Sequence, residues 1–302
     1  MDLKYKYKTT SVEHLKELHS YINELDRQGK LSDNERFRRY VSSDRFTLPE
    51  NFPDARFIVV LAHFTPLMLV NFLLNNTEHE IMLPPECYYS QMTDHDWAKL
   101  IEEEIIKQPG YRIDAWEPIP LKLLAVRSGL GRYGRNNICY VDEMGSFISL
   151  HGFLTDFEFA EDNWQEVKMM GNCESCQICM FECPCDCIRE ENFVVDALKC
   201  ITWYNERNGE FPGWMDPGIH NALLGCMKCQ MSCPANEQAL EFTGRFEDIP
   251  QEDTINILNG TIDEAALESV SRIFGPFTGA EIKDFTPILQ RNLSVLIDPV
   301  AP

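Results

Sequence analysis

Cysteine carries the chemistry of this sequence. Six of the chain's 12 cysteines fall within CESCQICMFECPCDC, residues 173–187, and a shorter echo, CMKCQMSC, spans 226–233. Cys173, Cys176, Cys179 and Cys183 give C-x2-C-x2-C-x3-C, and Pro184 follows. Spacers this short wrap one loop around a four-iron cube, while the last thiolate reaches across to a second one. Zinc is the plain alternative, but zinc sites favour paired C-x-x-C knuckles over a triple run ending in Cys-Pro.

The second run, Cys226, Cys229 and Cys233 before Pro234, has Leu223 where its first cysteine belongs. In the bacterial ferredoxin pattern each fourth cysteine ligates the other cluster. If Cys233 crosses to the first cluster, the second holds Cys183, Cys226 and Cys229 and lacks one sulfur. Cys200, alone in DALKCITWYNE, is the natural donor. The expected ligand sets are therefore Cys173, Cys176, Cys179 and Cys233 for one [4Fe–4S] cluster, and Cys200, Cys226, Cys229 and Cys183 for the other. Cys185 and Cys187 are surplus, either substitute ligands or small buried thiols. Cys87 and Cys139 read as core residues.

Elements must hold these cysteines in place. Val12, Leu15, Leu18, Ile22 and Leu25 make one apolar stripe, which predicts a helix over 10–28 capped by Thr10 and ended by Gly29. RFIVVLAHF, 56–64, predicts a buried strand. Helices are expected over 93–106, opened by Thr93 or Asp94, and over 119–129; strands are expected over 137–141 and 146–154, joined by the turn DEMG. The fold class is α+β, with an α/β domain over 1–165, a ferredoxin-like two-cluster domain over 166–240, and a helical extension over 241–302. GLGRYG, 129–134, matches the dinucleotide fingerprint by letter. That fingerprint needs a strand before it and a helix after it, and here the order is inverted, so a nicotinamide or flavin site is excluded.

The charge narrows the partners. A formal −21 repels phosphate backbones and anionic membranes, which argues against nucleic acid. Residues 241–302 hold four Lys/Arg and eleven Asp/Glu, in the same direction. No apolar run is long enough to span a bilayer. The first residues carry neither an apolar signal core nor a twin arginine, so the expected location is the cytoplasm.

LLAVRSGLGRYGRNNICYVDEMGSFISLHGFLTD, 123–156, followed by the cysteine module and GCMKCQMSCPANE, 225–237, resembles the cobalamin-dependent epoxyqueuosine reductases and the related reductive dehalogenases. The resemblance extends to LPENFPDARFIVVLAHF and FTGAEIKDFTPILQRNLSVL, and so covers most of the chain. It implies a nitroreductase-like α/β domain that binds a corrinoid, joined to a ferredoxin-like module whose clusters pass electrons to a base-off cobalamin. It further implies that Arg127, Gly129, Leu130, Gly131, Gly134, Asn136, Gly145 and Ser146 line the corrin pocket, with Tyr204 and Trp203 packed beside the second cluster. Glycines there would permit close approach to a large flat ligand.

The sequence departs from that family at the acid. The epoxyqueuosine enzymes place an aspartate proton donor twelve residues before the position matching Arg127; that position is Ala115, and Asp114 is one residue off, with Glu117 nearby. A carboxyl buried against a corrin would stay protonated and serve as general acid. Tyr89, with Tyr88 beside it, is the alternative donor, since dehalogenase-like sites use a tyrosine. His63, His151 and His220 read as structural. The expected function is reduction of a small-molecule substrate, fed by a low-potential donor such as a ferredoxin or flavodoxin. The alternative is an electron carrier or corrinoid-reactivating protein without substrate chemistry, including one whose corrin pocket has degenerated.

Overall fold

The computed structural model describes residues 4–90, 92–116, 118–190 and 194–298. The strands are β1 (Tyr5–Ser11), β2 (Phe57–Phe64), β3 (Met68–Leu74), β4 (Thr77–Leu83) and β5 (Ile113–Ala115). They continue with β6 (Arg132–Tyr133), β7 (Cys139–Tyr140), β8 (Ile148–Thr155) and β9 (Gly244–Arg245). Contacts gather the chain into two compact units: 1–64 with 91–177 and 190–195, and 65–90 with 178–189 and 196–302. The units are interleaved along the sequence, whereas the expected domains run consecutively.

In the first unit an antiparallel sheet of order β1-β2-β8-β5 is built around β2. FIVVLAHF is apolar on both faces, so alternation sorts it into two cores. Ile58, Val60 and Ala62 pack with Leu15, Leu18 and Ile22 of the helix Leu15–Arg27 and with Leu123 and Leu124 of the helix Leu121–Arg127. Val59 and Leu61 face Trp97, Ile101, Ile106 and Phe153 on the other side. His63 extends that second face, where its Nδ1 lies 3.1 Å from His151 Nε2 and both rings pack on Trp97. Burial, with a smaller contribution from His151, holds the His63 imidazole down to about 4, so His63 is uncharged at neutral pH.

The predicted helix start is corrected by the structure. Thr10 is no cap; it is fully buried in β1, paired with Ile58, and the long helix begins at Leu15. YKYKTTS alternates with strand period, and pairing along the full length of β2 outweighs the local capping pattern. Thr93 does cap its helix, in a reciprocal capping box with Asp96. Beyond Leu100 that helix widens into a π-helical stretch, Ile101–Ile106, ended by Lys107 in the left-handed region.

The second unit holds a hairpin that the sequence reading passed over. β3 and β4 pair antiparallel around Asn75 and Asn76, both at positive φ (51° and 59°), as a two-residue hairpin turn requires. The helices Gln251–Leu258, Glu264–Phe274 and Gly279–Ile297 supply Ile257, Val270, Ile273, Leu289 and Leu293 to a core with Val70, Phe72, Ile81 and Leu83. The last of them is 19 residues long and opens with a capping box between Thr278 and Glu281. Among the described residues no helix is long and apolar enough to cross a membrane.

Candidate functional site

Cys173 and Cys176 belong to the first unit, whose boundary falls inside the first cysteine run, between Gln177 and Ile178. Their loop is anchored by the glycine-rich segment. Tyr133 donates its backbone N–H to Lys168 O at 2.9 Å, and Met170 N–H returns to Tyr133 O at 2.9 Å. The Arg135 guanidinium donates to the carbonyls of Cys173 and Cys176, the latter at 3.2 Å. Arg135 lies between Gly134 and Asn136, two of the residues expected to line a corrin pocket. Its observed partners are the backbone of the first cysteine loop, a use that no local motif announces.

Why GLGRYG needs its glycines is also visible. A Cβ on Gly131 would stand 2.6 Å from Cys139 Sγ and 2.9 Å from Tyr140 O; one on Gly134 would stand 2.6 Å from Asn136 Oδ1 and from Tyr140 Cε2. The close approach is to β7 of the same unit, and not to open space. Gly131→Ala is therefore expected to lower stability by about 1–3 kcal/mol through forced overpacking, read as a drop in the thermal midpoint. An unchanged midpoint would show that the hairpin gives way freely. As expected, a helix (Leu121–Arg127) precedes the glycines and a strand pair, β6 with β7, follows.

The second unit gathers the remaining thiols. Cys179 sits on the short helix Ile178–Phe181, Cys229 on Lys228–Met231, and Cys233 just before the turn Pro234–Asn236. After Cys183 the chain doubles back through Asp186, which takes a left-handed conformation (φ 49°), and this returns Cys187 to within 3.3 Å of Cys183, sulfur to sulfur. Cys187 and Cys200 also lie close enough to influence each other's titration. Cys183, Cys187 and Cys200 thus converge, with Cys185 and Cys226 close enough to interact with Cys183 and Cys200 electrostatically.

These sulfurs are provided for as anions. Cys183 receives a hydrogen bond from Cys187 and backbone N–H bonds from Cys185, Cys187 and Ile188, which together bring it down to about 5. Cys200, close to Cys187 and bonded by the Thr202 hydroxyl and amide, is lowered to about 7. Cys226 accepts from Asn221 Nδ2 at 3.2 Å and from the Lys228 amide, although burial pushes its thiol up overall. Burial likewise lifts Cys185 to about 12. A low-lying thiolate ringed by N–H donors is what iron–sulfur ligation requires, so the donor set fits a cluster. Among the described residues no three His, Cys, Asp or Glu side chains close on a point suited to a single ion; a four-iron cube spreads its thiolates over a wider shell.

The segment is held from behind by the C-terminal helix. Asn292, fully buried, donates from Nδ2 to Asn205 O and to Leu223 O, both at 2.7 Å. Asn205, also fully buried, donates to Gly225 O at 2.9 Å. Arg291 reaches Tyr204 O at 2.8 Å and Arg207 O at 2.9 Å. The helix that carries Cys200 at its start and the loop that leads into Cys226 are therefore fixed by side chains from a helix some seventy residues further on.

The residues assigned to a corrinoid from the resemblance are occupied with protein. Arg127 is buried, ion-paired to Glu17 at 2.9 Å and Glu166 at 3.0 Å, and stacked on Trp164. Leu130 lies in the core, Asn136 donates to the Tyr140 hydroxyl at 2.9 Å, Gly145 closes a turn at φ 62°, and Ser146 is buried. Gly129, at φ 77°, lies against the Gln165 amide. These residues do not present an open cradle. In the other unit, Tyr204 donates to Leu198 O at 2.8 Å and packs edge-on to Trp214.

Neither candidate acid is buried. Asp114, on β5, is ion-paired with Arg112 at 2.5 Å and its side chain is 38% exposed. Tyr89 is half exposed and its ring lies against Gly275. Tyr88 is bonded to Pro66 O at 2.5 Å, and burial raises its phenol. Glu117 lies outside the described residues.

The fold and these sulfurs define a mixed α/β protein with a two-cluster iron–sulfur module. Residues 172–236 match the family model for a 4Fe-4S double cluster binding domain. The curated homologues are epoxyqueuosine reductases: the one from Aliivibrio fischeri is 32% identical over 170 residues, 52% of this chain and 44% of the relative. The enzyme from Escherichia coli K12 is 36% identical over 120 residues, 39% of this chain and 30% of the relative. The matches thus span less than half the length of these curated relatives. Solved epoxyqueuosine reductases share the fold: the Bacillus subtilis structure superposes with a TM-score of 0.64 at 19% identity, covering 97% of this chain and 77% of its own. Another, with a TM-score of 0.62, 19% identity and coverage of 97% and 76%, holds an epoxyqueuosine-modified tRNA-Tyr stem loop. The expectation against nucleic acid is corrected by this last structure: a protein of the same fold takes one, so the fold does not exclude a nucleic-acid partner.

Proposed function

We propose that this chain is an iron–sulfur reductase resembling epoxyqueuosine reductase, in which two [4Fe–4S] clusters deliver single electrons towards a corrinoid that reduces the substrate. The observation that carries the iron–sulfur part is the set of converging, N–H-supported sulfurs Cys183, Cys200 and Cys226. The ligands are Cys173, Cys176, Cys179 and Cys233 for one cluster and Cys183, Cys200, Cys226 and Cys229 for the other. A low-potential ferredoxin or flavodoxin supplies the electrons. The corrinoid rests on the resemblance, and Arg127, Gly131 and Gly134 are engaged with protein.

The same engagement, with the exposed and paired Asp114, favours a second reading: an electron carrier or corrinoid-reactivating protein with no substrate chemistry. One experiment separates the two. With both clusters rebuilt anaerobically, cob(II)alamin is added and its electron paramagnetic resonance spectrum recorded. Conversion to a base-off signal is the expected result, and turnover is then screened on small epoxides and on an epoxyqueuosine-containing stem loop. A spectrum identical to that of the free cofactor moves the assignment to the carrier.

A further inference from the structure

Cys187 has no place in the two ligand sets, yet it is the most deeply buried sulfur of the second group, at 4% exposure, and touches the ligand sulfur of Cys183. Two terminal thiolates of one cube sit on different irons and stand well beyond contact. Cys183 and Cys187, at 3.3 Å, are therefore not both ligands of the same cluster. Cys183 is the one that completes the C-x2-C-x2-C-x3-C-P spacing, and so the ligand of the two.

We infer that Cys187 is a positioning thiol of the second cluster, keeping its proton and sharing its S–H as a hydrogen bond with the ligand sulfur of Cys183. The inference rests on the two-cluster reading above. An iron-bound thiolate has no proton to give, so the sulfur that does not bind iron is necessarily the donor. A hydrogen bond to a ligand sulfur draws electron density from it and stabilises the reduced, more negative cluster, which raises its reduction potential. The turn at Asp186 makes this contact, because the left-handed residue there folds Cys187 back over Cys183.

The test uses the full chain with both clusters rebuilt, as wild type, Cys187→Ala and Cys187→Ser. Iron is counted, and each cluster's midpoint is followed by electron paramagnetic resonance during a redox titration. The expected result is iron content equal to wild type, a lowered midpoint for one cluster in Cys187→Ala, an unchanged midpoint for the other, and recovery towards wild type in Cys187→Ser, whose hydroxyl still donates. Unchanged midpoints in both variants would overturn the inference by making Cys187 a space-filling thiol. Loss of about half the iron in Cys187→Ala would overturn it by making Cys187 a ligand. A wild-type chain that binds fewer than two clusters would instead overturn the underlying reading.

Discussion

Cys200→Ala is expected to leave about four of the roughly eight iron atoms that two [4Fe–4S] clusters hold, and to abolish one of two cluster signals. The reason is positional. Cys200 stands between the two cysteine runs, in the same unit as Cys183, Cys226 and Cys229, and its sulfur is bonded by Thr202 and lies near Cys187. A three-thiolate site loses one iron readily and then the remaining cube. Cys139→Ala is the control: that thiol is 2% exposed in the core beside Gly131, burial pushes it up to about 12, and its loss should leave the iron count unaltered. Retention of about eight irons in Cys200→Ala would refute the assignment of the second ligand set.

Asn292→Ala is expected to destabilise the second unit by about 2–6 kcal/mol, since two buried carbonyls, those of Asn205 and Leu223, lose their donor together at a cost of about 1–3 kcal/mol each. Its larger consequence is local. The carbonyls belong to the segments that bring Cys200 and Cys226 into the site, so cluster rebuilding in the variant should be slower and less complete than in wild type. Chemical denaturation of the apo chain measures the first effect and the rate of iron uptake the second. Asn292→Asp removes the donor while keeping the shape, and should be no better. A midpoint within error of wild type would mean that water replaces the amide.

What sequence alone disclosed, and what it did not, divides along local against non-local physics. The cysteine runs were legible because cluster ligation fixes spacing within a loop, and Cys200 is proposed because the second run is one sulfur short. The strand 56–64 was legible because a run apolar on both faces has one stable place, the centre of a sheet. The helix start at Thr10 misled because capping is local, whereas the pairing of β1 with β2 joins residues about fifty apart. The β3–β4 hairpin had a signal, the Asn-Asn pair between apolar stretches, that was not used. Pro287, within the helix Gly279–Ile297, obscured the longest helix.

The glycine-rich segment is the more instructive case. Its letters fit a ligand-binding loop twice over, first a dinucleotide and then a corrin. In the structure Gly131 and Gly134 yield to Cys139, Tyr140 and Asn136, and Arg135 holds the carbonyls of the first cysteine loop. A small residue reports that something comes close, without saying whether it is a ligand or the chain itself. Likewise, Asp114 stands one residue from the position of the family's acid, and its carboxylate is ion-paired with Arg112.

The most direct test of the two-cluster account is the metal content and electron paramagnetic resonance spectrum of the full chain, rebuilt with iron and sulfide under anaerobic conditions and then reduced. About eight irons per chain, no zinc, and the broadened signal of two magnetically interacting reduced clusters are the predicted result. Bound zinc, or a single cluster of about four irons with a simple isolated signal, would contradict it.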